Sequence, residues 1–352
     1  LTLIIYIMFN KYKDKGLTGL ANLGNTCYIN SGIQVLSHCY EFQEKINKID
    51  HELENNIDVT FLKEYIDLRN IMWKNNCKIA PSRFLKIIHI ISEKKDRPLF
   101  SGWAQQDLPE FLLFIIDCFH NSIKKKMKVE INGNVKNEKD KINNECYKVL
   151  KHTYENEYSS IYDLFYGMYI TNIYDLKGKK VSFRPDPFLM LDLPIPDNKE
   201  KKQSTIYDCL DLFCDVELMD GENMWLDEKK NKKIEVEKKI VFWSLPDILI
   251  IVLKRFEYSK TSNQNKKKHN QVDVPITDLD LTKYMIYKTK KIYDLFGVCN
   301  HMGRSGDGGH YTANVLNANG KWYNFNDTMV SEIPKNKVVT TNGYCFLFRK
   351  KT

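Results

Sequence analysis

The hydrophobic period of this chain changes once along its length, and that change restricts the fold more than any other feature. From Cys27 the apolar positions Ile29, Ile33, Leu36 and Tyr40 recur at three-to-four-residue spacing, which is one face of an α-helix. Asn25 and Thr26 stand where its caps belong. Leu108, Phe111, Leu112, Ile115 and Phe119 form a second stripe over Leu108 to Ile123, and Asp107-x-x-Glu110 reads as a capping box. From about Ile161 the pattern turns to short β-type runs: Tyr169 to Tyr174, Val181 to Phe183, Phe188 to Leu193 and Ile248 to Leu253. A mainly helical first third followed by a sheet-rich second half predicts an α+β fold. The segment Lys124 to Asn144, rich in Lys, Asn and Glu, reads as an exposed, partly disordered insertion between the two.

Composition fits one large globular unit. Over 352 residues, 43% hydrophobic and 12% aromatic content supplies a sizeable core. The nine cysteines form no C-x-x-C pair, which fits neither a disulfide framework nor a zinc ribbon and points to a reducing, intracellular setting. The net charge of +8 falls largely on polar stretches such as Lys124 to Lys128 and Lys266 to Lys268, read as solvated loops rather than a nucleic-acid surface. Leu1 to Phe9 is apolar but much shorter than the roughly 20 residues of a membrane span, so no membrane segment is expected. That stretch is either a short added strand or the run-up to a start at Met8.

Cys27 stands at the start of the first helix, where unpaired N–H groups and the helix dipole favour an anion and should lower the thiol pKa. A cysteine there is more often a small buried hydrophobe, so the reading needs a base. Among eight histidines, His38, His89 and His120 fall within apolar helical stretches. His310 instead follows the glycine-rich run Gly303 to Gly309 and opens a strand able to hold an imidazole rigidly. His310 to Leu316 and Lys321 to Phe325 flank a turn at Asn317 to Gly320, so the hairpin brings Asn326 or Asp327 back toward His310 as an orienting acceptor. A strict two-residue turn sets His310 opposite Met329, so a longer loop or a bulge is needed to bring Asn326 beside it; the residues leave this register open.

Four segments together resemble the ubiquitin-specific proteases, a family of papain-like cysteine deubiquitinases with thumb, palm and fingers lobes. Gly19-Leu-Ala-Asn22-Leu-Gly-Asn-Thr-Cys27-Tyr-Ile-Asn-Ser31 resembles the family's cysteine box, and Gln105-Gln-Asp107-Leu-Pro-Glu110-Phe111 its second signature. Leu253-Lys-Arg-Phe256 resembles a strand-ending motif, and Gly308-Gly-His310-Tyr-Thr-Ala313 with Trp322-Tyr-Asn-Phe-Asn326-Asp327 the histidine box. The resemblance implies an N-terminal extension over residues 1–15 and a catalytic domain over 16–352, with the helical thumb at about 27–150 and sheet-rich fingers and palm at about 155–350. It makes Cys27 the nucleophile, His310 the base, Asn326 the third member with Asp327 as the alternative, and Asn22 the oxyanion donor. Asp107, Glu110, Phe256, Gly309 and Tyr311 fall at positions that meet the ubiquitin tail; for Asp107 and Glu110 helix capping is the competing role.

The implied reaction is hydrolysis of the isopeptide or peptide bond after the C-terminal glycine of ubiquitin, by a monomer needing no cofactor, in the cytoplasm or nucleus. Many members bind zinc through two C-x-x-C pairs at the fingertips. Here Asp175 and Gly178 take the places of the first pair, Trp225 to Lys230 contains no cysteine, and Cys209 and Cys214 read as core or surface thiols, so no metal is expected. Competing readings are a non-cutting ubiquitin-binding domain, a protease for another ubiquitin-like modifier, and nucleic-acid binding, the last lacking interleaved aromatics.

Overall fold

A computed structural model describes residues 9–49, 56–197, 203–228, 230–259, 264–305 and 308–351. Leu1–Met8 and the Gly306-Asp307 part of the glycine-rich run lie outside these residues, and with them the two readings of the N-terminal stretch.

Helix α1 (Cys27–Ser37) is buried along its whole length. Its polar members tolerate this because they find partners: Gln34 Nε2 donates to Thr18 O at 2.7 Å and the Ser37 hydroxyl to Gln34 O at 3.0 Å. Helices α2 (Ile57–Lys74), α3 (Ser82–Lys94) and α4 (Leu108–Ile123) complete the thumb, α4 with the bounds read from its stripe. Gly32 lets α4 approach α1 closely, since a Cβ there would stand 3.2 Å from the Phe111 ring. Phe42, Tyr65 and Phe119 fill the centre, with 4.8 Å between the Tyr65 and Phe119 ring centroids and 5.0 Å between Phe42 and Phe119.

The caps differ from expectation. Thr26 occupies the N-cap of α1, but its hydroxyl accepts from Leu23 N–H at 2.9 Å, and Asn25 is left-handed, donating to Trp103 O at 3.0 Å. Asp107 occupies the N-cap of α4 without the usual side-chain cap bond, its carboxylate accepting instead from tyrosine hydroxyls of the palm.

The expected disordered insertion is corrected in its last part, because Glu138–Glu157 forms helix α5, while residues 124–137 are mainly exposed, irregular chain as expected. Asn137 Oδ1 accepts from Asp140 N–H at 2.9 Å, and Glu138 and Asp140 in the first turn suit the helix dipole. Ile142, Cys146, Val149 and Leu150 make a narrow apolar stripe against the fingers, while Lys, Asn and Glu cover the other faces and hide the period.

Strands β1 (Gly167–Tyr174) and β2 (Lys180–Phe188) open the fingers, β3 (Met190–Pro194) enters the palm, and β4 (Val236–Ser244) returns to the fingers beside β1. Helix α6 (Ile206–Cys214) packs behind the palm, with Cys209 buried and Cys214 half-buried. The palm sheet runs β9-β8-β7-β6-β10-β5-β3, where β5 is Ile248–Lys254, β6 Ile292–Ser305, β7 Gly308–Leu316, β8 Trp322–Asn326, β9 Met329–Ile333 and β10 Gly343–Lys350. Only β3 and β5 are parallel on this path. The continuous apolar run of β5 reflects burial on both faces.

Lys266 to Lys268 departs from its reading as a solvated loop, since Gln264–Lys267 is a strand and Lys267 is buried. At the fingertip, Asp175 Oδ1 accepts from the N–H groups of Lys177 at 3.0 Å and Lys179 at 2.9 Å, and Gly178 turns with φ 78°. This turn is closed by protein groups alone and does not fit a thiolate metal site. Among the described residues no group of three or more His, Cys, Asp or Glu is placed to hold a metal ion.

Phe111 is buried between Tyr28 of α1 and the Phe100 ring. Phe111→Ala should therefore destabilise the protein by about 3–5 kcal/mol in denaturant unfolding; a loss below about 1 kcal/mol would contradict this packing.

Candidate active site

Cys27 begins α1 and lies against β7, where the backbone N–H of Tyr311 points at its sulfur. The expected lowering of the thiol pKa is not what this position gives. Burial pushes the thiol up, the N–H groups of Tyr311, Tyr28 and Cys27 itself oppose that only in part, and the Asp327 carboxylate adds to it. The helix start thus offers donors to a thiolate without making it the resting form.

His310 sits two residues into β7, opposite Met302 of β6. The turn to β8 is longer than two residues: Asn317 N–H bonds Lys321 O, Gly320 N–H bonds Asn317 O, each at 2.9 Å, and Gly320 has φ 81°. Ala313 therefore faces Phe325, and Asn326 falls diagonally from His310 on the same face of the sheet. His310 Nε2 and Asn326 Oδ1 are 2.7 Å apart. An acceptor oxygen there selects the tautomer with the proton on Nε2 and leaves Nδ1 with a free lone pair.

Asp327 does not point away as strand alternation would require. It leaves β8 with φ 49° in the two-residue turn to β9, which brings its carboxylate to 3.9 Å from His310 Nε2. That carboxylate is shared: Asn22 Nδ2 donates to it at 3.1 Å and Asn30 Nδ2 at 2.8 Å, while Leu20 N–H bonds its backbone carbonyl at 2.9 Å. Asn22 Oδ1 in turn accepts from Gly24 N–H at 3.2 Å and Thr26 N–H at 3.0 Å. The amide of Asn22 is thereby fixed with one N–H on Asp327 and, among the described residues, no partner for the other.

Gln105 crosses from thumb to palm. Its Oε1 accepts from Gly309 N–H at 2.9 Å and its Nε2 donates to Cys27 Sγ at 3.8 Å. Gly309 has one exposed face and one with no room, since a Cβ would meet Met302 O and stand 2.6 Å from His301 Nε2. His301 is fully buried behind it, held neutral by burial and by Lys267, whose Nζ donates to His301 Nδ1 at 3.1 Å and to its carbonyl.

A groove of about 590 Å³ leads away past Asp107, Glu110, Met190, Asp192, Phe256 and Tyr344. The hydroxyls of Tyr311 and Tyr344 each donate to Asp107 at 3.2 Å. Partial burial still dominates, pushing the Asp107 carboxyl up to about 6, with Glu110 adding to the rise. Phe256 packs edge-on against His301 and Tyr344, with 5.3 Å between centroids in both pairs. The structure thus links Cys27 to Gly309 through Gln105, His310 to Asn326 and Asp327, Asp327 to Asn22, and Tyr311 to Asp107, which lines the groove with Glu110 and Phe256.

Residues 18–348 match the family model described as ubiquitin carboxyl-terminal hydrolase. The chain belongs to the ubiquitin carboxyl-terminal hydrolase family. A probable ubiquitin carboxyl-terminal hydrolase, R319, of Acanthamoeba polyphaga mimivirus is 26% identical over 95% of this chain and 90% of its own length. Human ubiquitin carboxyl-terminal hydrolase 2 is 30% identical over 96% of this chain but 56% of its own length. Among solved structures, the SAGA DUB module containing Ubp8 bound to monoubiquitin matches with TM-score 0.74 at 25% identity, over 96% of this chain and 70% of that one. The same module bound to ubiquitin aldehyde also gives 0.74. The fold is the papain-like α+β fold of this family, and the protein is a thiol-dependent hydrolase.

Several polar residues of the hydrolase site escape a motif reading. Asn30 lies within the cysteine box but shows its purpose only through Asp327, across a sequence separation of 297. His301, Asp192 and Tyr344 come from strands whose order the sequence does not give. For the free hydrolase, burial predicts that iodoacetamide alkylation of Cys27 keeps accelerating with pH toward and beyond the ordinary cysteine pKa. A plateau reached below pH 7 would show a preformed thiolate instead.

Proposed function

We propose that this hydrolase cuts the isopeptide or peptide bond after the C-terminal glycine of ubiquitin, with Cys27 as nucleophile, His310 as general base, Asn326 as its orienting residue and Asn22 as oxyanion donor. One observation carries the assignment of roles: the 2.7 Å contact of His310 Nε2 with Asn326 Oδ1, beside a cysteine at the start of a buried helix. The substrate follows from the family and from structural neighbours that hold ubiquitin or ubiquitin aldehyde.

In this mechanism His310 Nδ1 takes the Cys27 proton as the sulfur attacks the glycine carbonyl, so the buried thiolate need not persist. The other N–H of Asn22 meets the developing oxyanion, an interaction worth roughly 3 kcal/mol in comparable acyl-transfer sites. His310 then protonates the departing lysine amine and, in the second half, draws a proton from the water that releases the acyl-enzyme. The exposed face of Gly309 and the aromatic walls of Phe256 and Tyr344 suit a tail ending in residues without side chains. Asp107, Glu110 and Asp192 give the groove acidic lining for a basic tail. Nine free cysteines fit a reducing cytoplasm or nucleus. Among the described residues no helix is long and apolar enough to cross a membrane. The protein is taken to act as a monomer without nucleic acid or cofactor.

Kinetics on a ubiquitin C-terminal reporter test the roles. Cys27→Ala should abolish turnover while ubiquitin binding stays within a few-fold of wild type. Asn326→Ala should lower kcat more than Asp327→Ala, and Asn326→Asp should stay active because an acceptor oxygen remains. Asp327→Ala should also lower Tm, since it releases Asn22 and Asn30. If Asp327→Ala proves the more damaging to kcat with folding intact, Asn326 and Asp327 have exchanged roles.

Asp107 gives a separate pH test. A carboxyl titrating at about 6 is neutral below that pH and anionic above it, so KM for the reporter should fall as pH rises through 6. Asp107→Asn should flatten that dependence; an unchanged profile in this variant would remove Asp107 from tail binding.

A further inference from the structure

The geometry points to Gln105 as a further catalytic residue, one that donates a hydrogen bond to the Cys27 sulfur while its other end holds the backbone beside His310. Three observations carry this. The Gln105 carboxamide touches the reacting sulfur, with Nε2 at 3.8 Å from Sγ. Its Oε1 is engaged by Gly309 N–H at 2.9 Å, across a sequence separation of 204, which fixes the amide with its N–H edge toward the sulfur. The neighbouring Gln106, by contrast, reaches among the described residues only Ala104 O, at 3.5 Å.

The sulfur needs such a donor. Its surroundings withhold water, and the titratable groups that act on it from the packed elements are Tyr28 on its own helix, Tyr311 on β7 and Asp327 in the β8–β9 turn. None of these favours a thiolate through its charge, and Asp327 opposes it. A side-chain N–H from the thumb joins the backbone N–H of Tyr311 from the palm, so the developing anion is held from both lobes. Because one carboxamide spans both lobes, the separation of nucleophile and base is also set by a single rigid group. The role of Cys27 as nucleophile is taken from the function proposed above; the sulfur contact itself stands without any substrate.

The test reads Cys27 directly. Iodoacetamide alkylation of Cys27, followed by peptide mapping because Cys77 is exposed and reacts as well, is measured from pH 6 to 11 in wild type, Gln105→Met, Gln105→Leu, Gln105→Glu and Gln106→Met, with midpoints beyond that range read from the rate at fixed pH. The midpoint should rise by about one pH unit in Gln105→Met and Gln105→Leu, which remove the donor at similar volume and cut the thiolate fraction about tenfold. It should rise further in Gln105→Glu, which keeps the acceptor for Gly309 N–H but sets a negative oxygen beside the sulfur. Gln106→Met should leave it unchanged. On the ubiquitin reporter, Gln105→Met should lower kcat about tenfold with KM within about threefold.

A wild-type midpoint in folded Gln105→Met or Gln105→Leu overturns the assignment; if one of the two does not fold, the other decides. Shifted midpoints in a protein that turns over no ubiquitin reporter would sink the substrate reading and leave Gln105 in place.

Discussion

Everything at the site depends on the complete burial of α1 between the thumb helices and the palm sheet. A helix with every side chain from Cys27 to Ser37 buried cannot rotate or slide without exposing apolar surface, so its first residue is fixed against β7. Two glycines allow the approach: Gly32 admits Phe111 on one side, and a Cβ at Gly297 would stand 3.2 Å from Val35 on the other. The Asp327 carboxylate then ties the loop before the helix to the palm through Asn22 and Asn30. Nucleophile and base come from opposite ends of the chain, and these contacts set their registration.

The charge distribution fits the site rather than the whole chain. The protein carries +8 overall, yet the groove presents Asp107, Glu110 and Asp192. Of the basic groups nearby, Lys254 is exposed in the groove beside Asp192, whereas Arg255 and Lys267 are buried. Arg255 Nε donates to Gly343 O at 2.7 Å and Nη1 to Lys268 O and Asn270 O at 3.0 Å, which sets the strand start that carries Tyr344. Burial draws the Arg255 guanidinium down to about 10 and the Lys267 ammonium to about 8. Both cations therefore act as fixed structural donors behind the wall, and the groove lining carries three carboxylates against the exposed Lys254.

The sequence already spelled out α1, α4, the β5 run and the β7–β8 hairpin, because each follows a local period or turn rule. Cys27 and His310 stood out for the same reason. What stayed hidden depends on partners far along the chain. Asp107 reads as a cap until Tyr311 and Tyr344 arrive from the palm to claim its carboxylate. The thiol pKa reads as lowered until burial and Asp327 are counted. Strand alternation points Asp327 away from His310, and a left-handed turn at that one residue brings it back. Helix α5 was masked because a single narrow apolar stripe carries it, and Lys267 because a lysine-rich string looks alike in a loop or under a sheet.

The most direct measurement is covalent labelling by ubiquitin carrying a C-terminal electrophile, with the modified residue mapped and equivalent probes of other ubiquitin-like modifiers run beside it. The account predicts one ubiquitin per chain, attached at Cys27 and lost in Cys27→Ala. Attachment at any other cysteine, or labelling only by a different modifier, would contradict it.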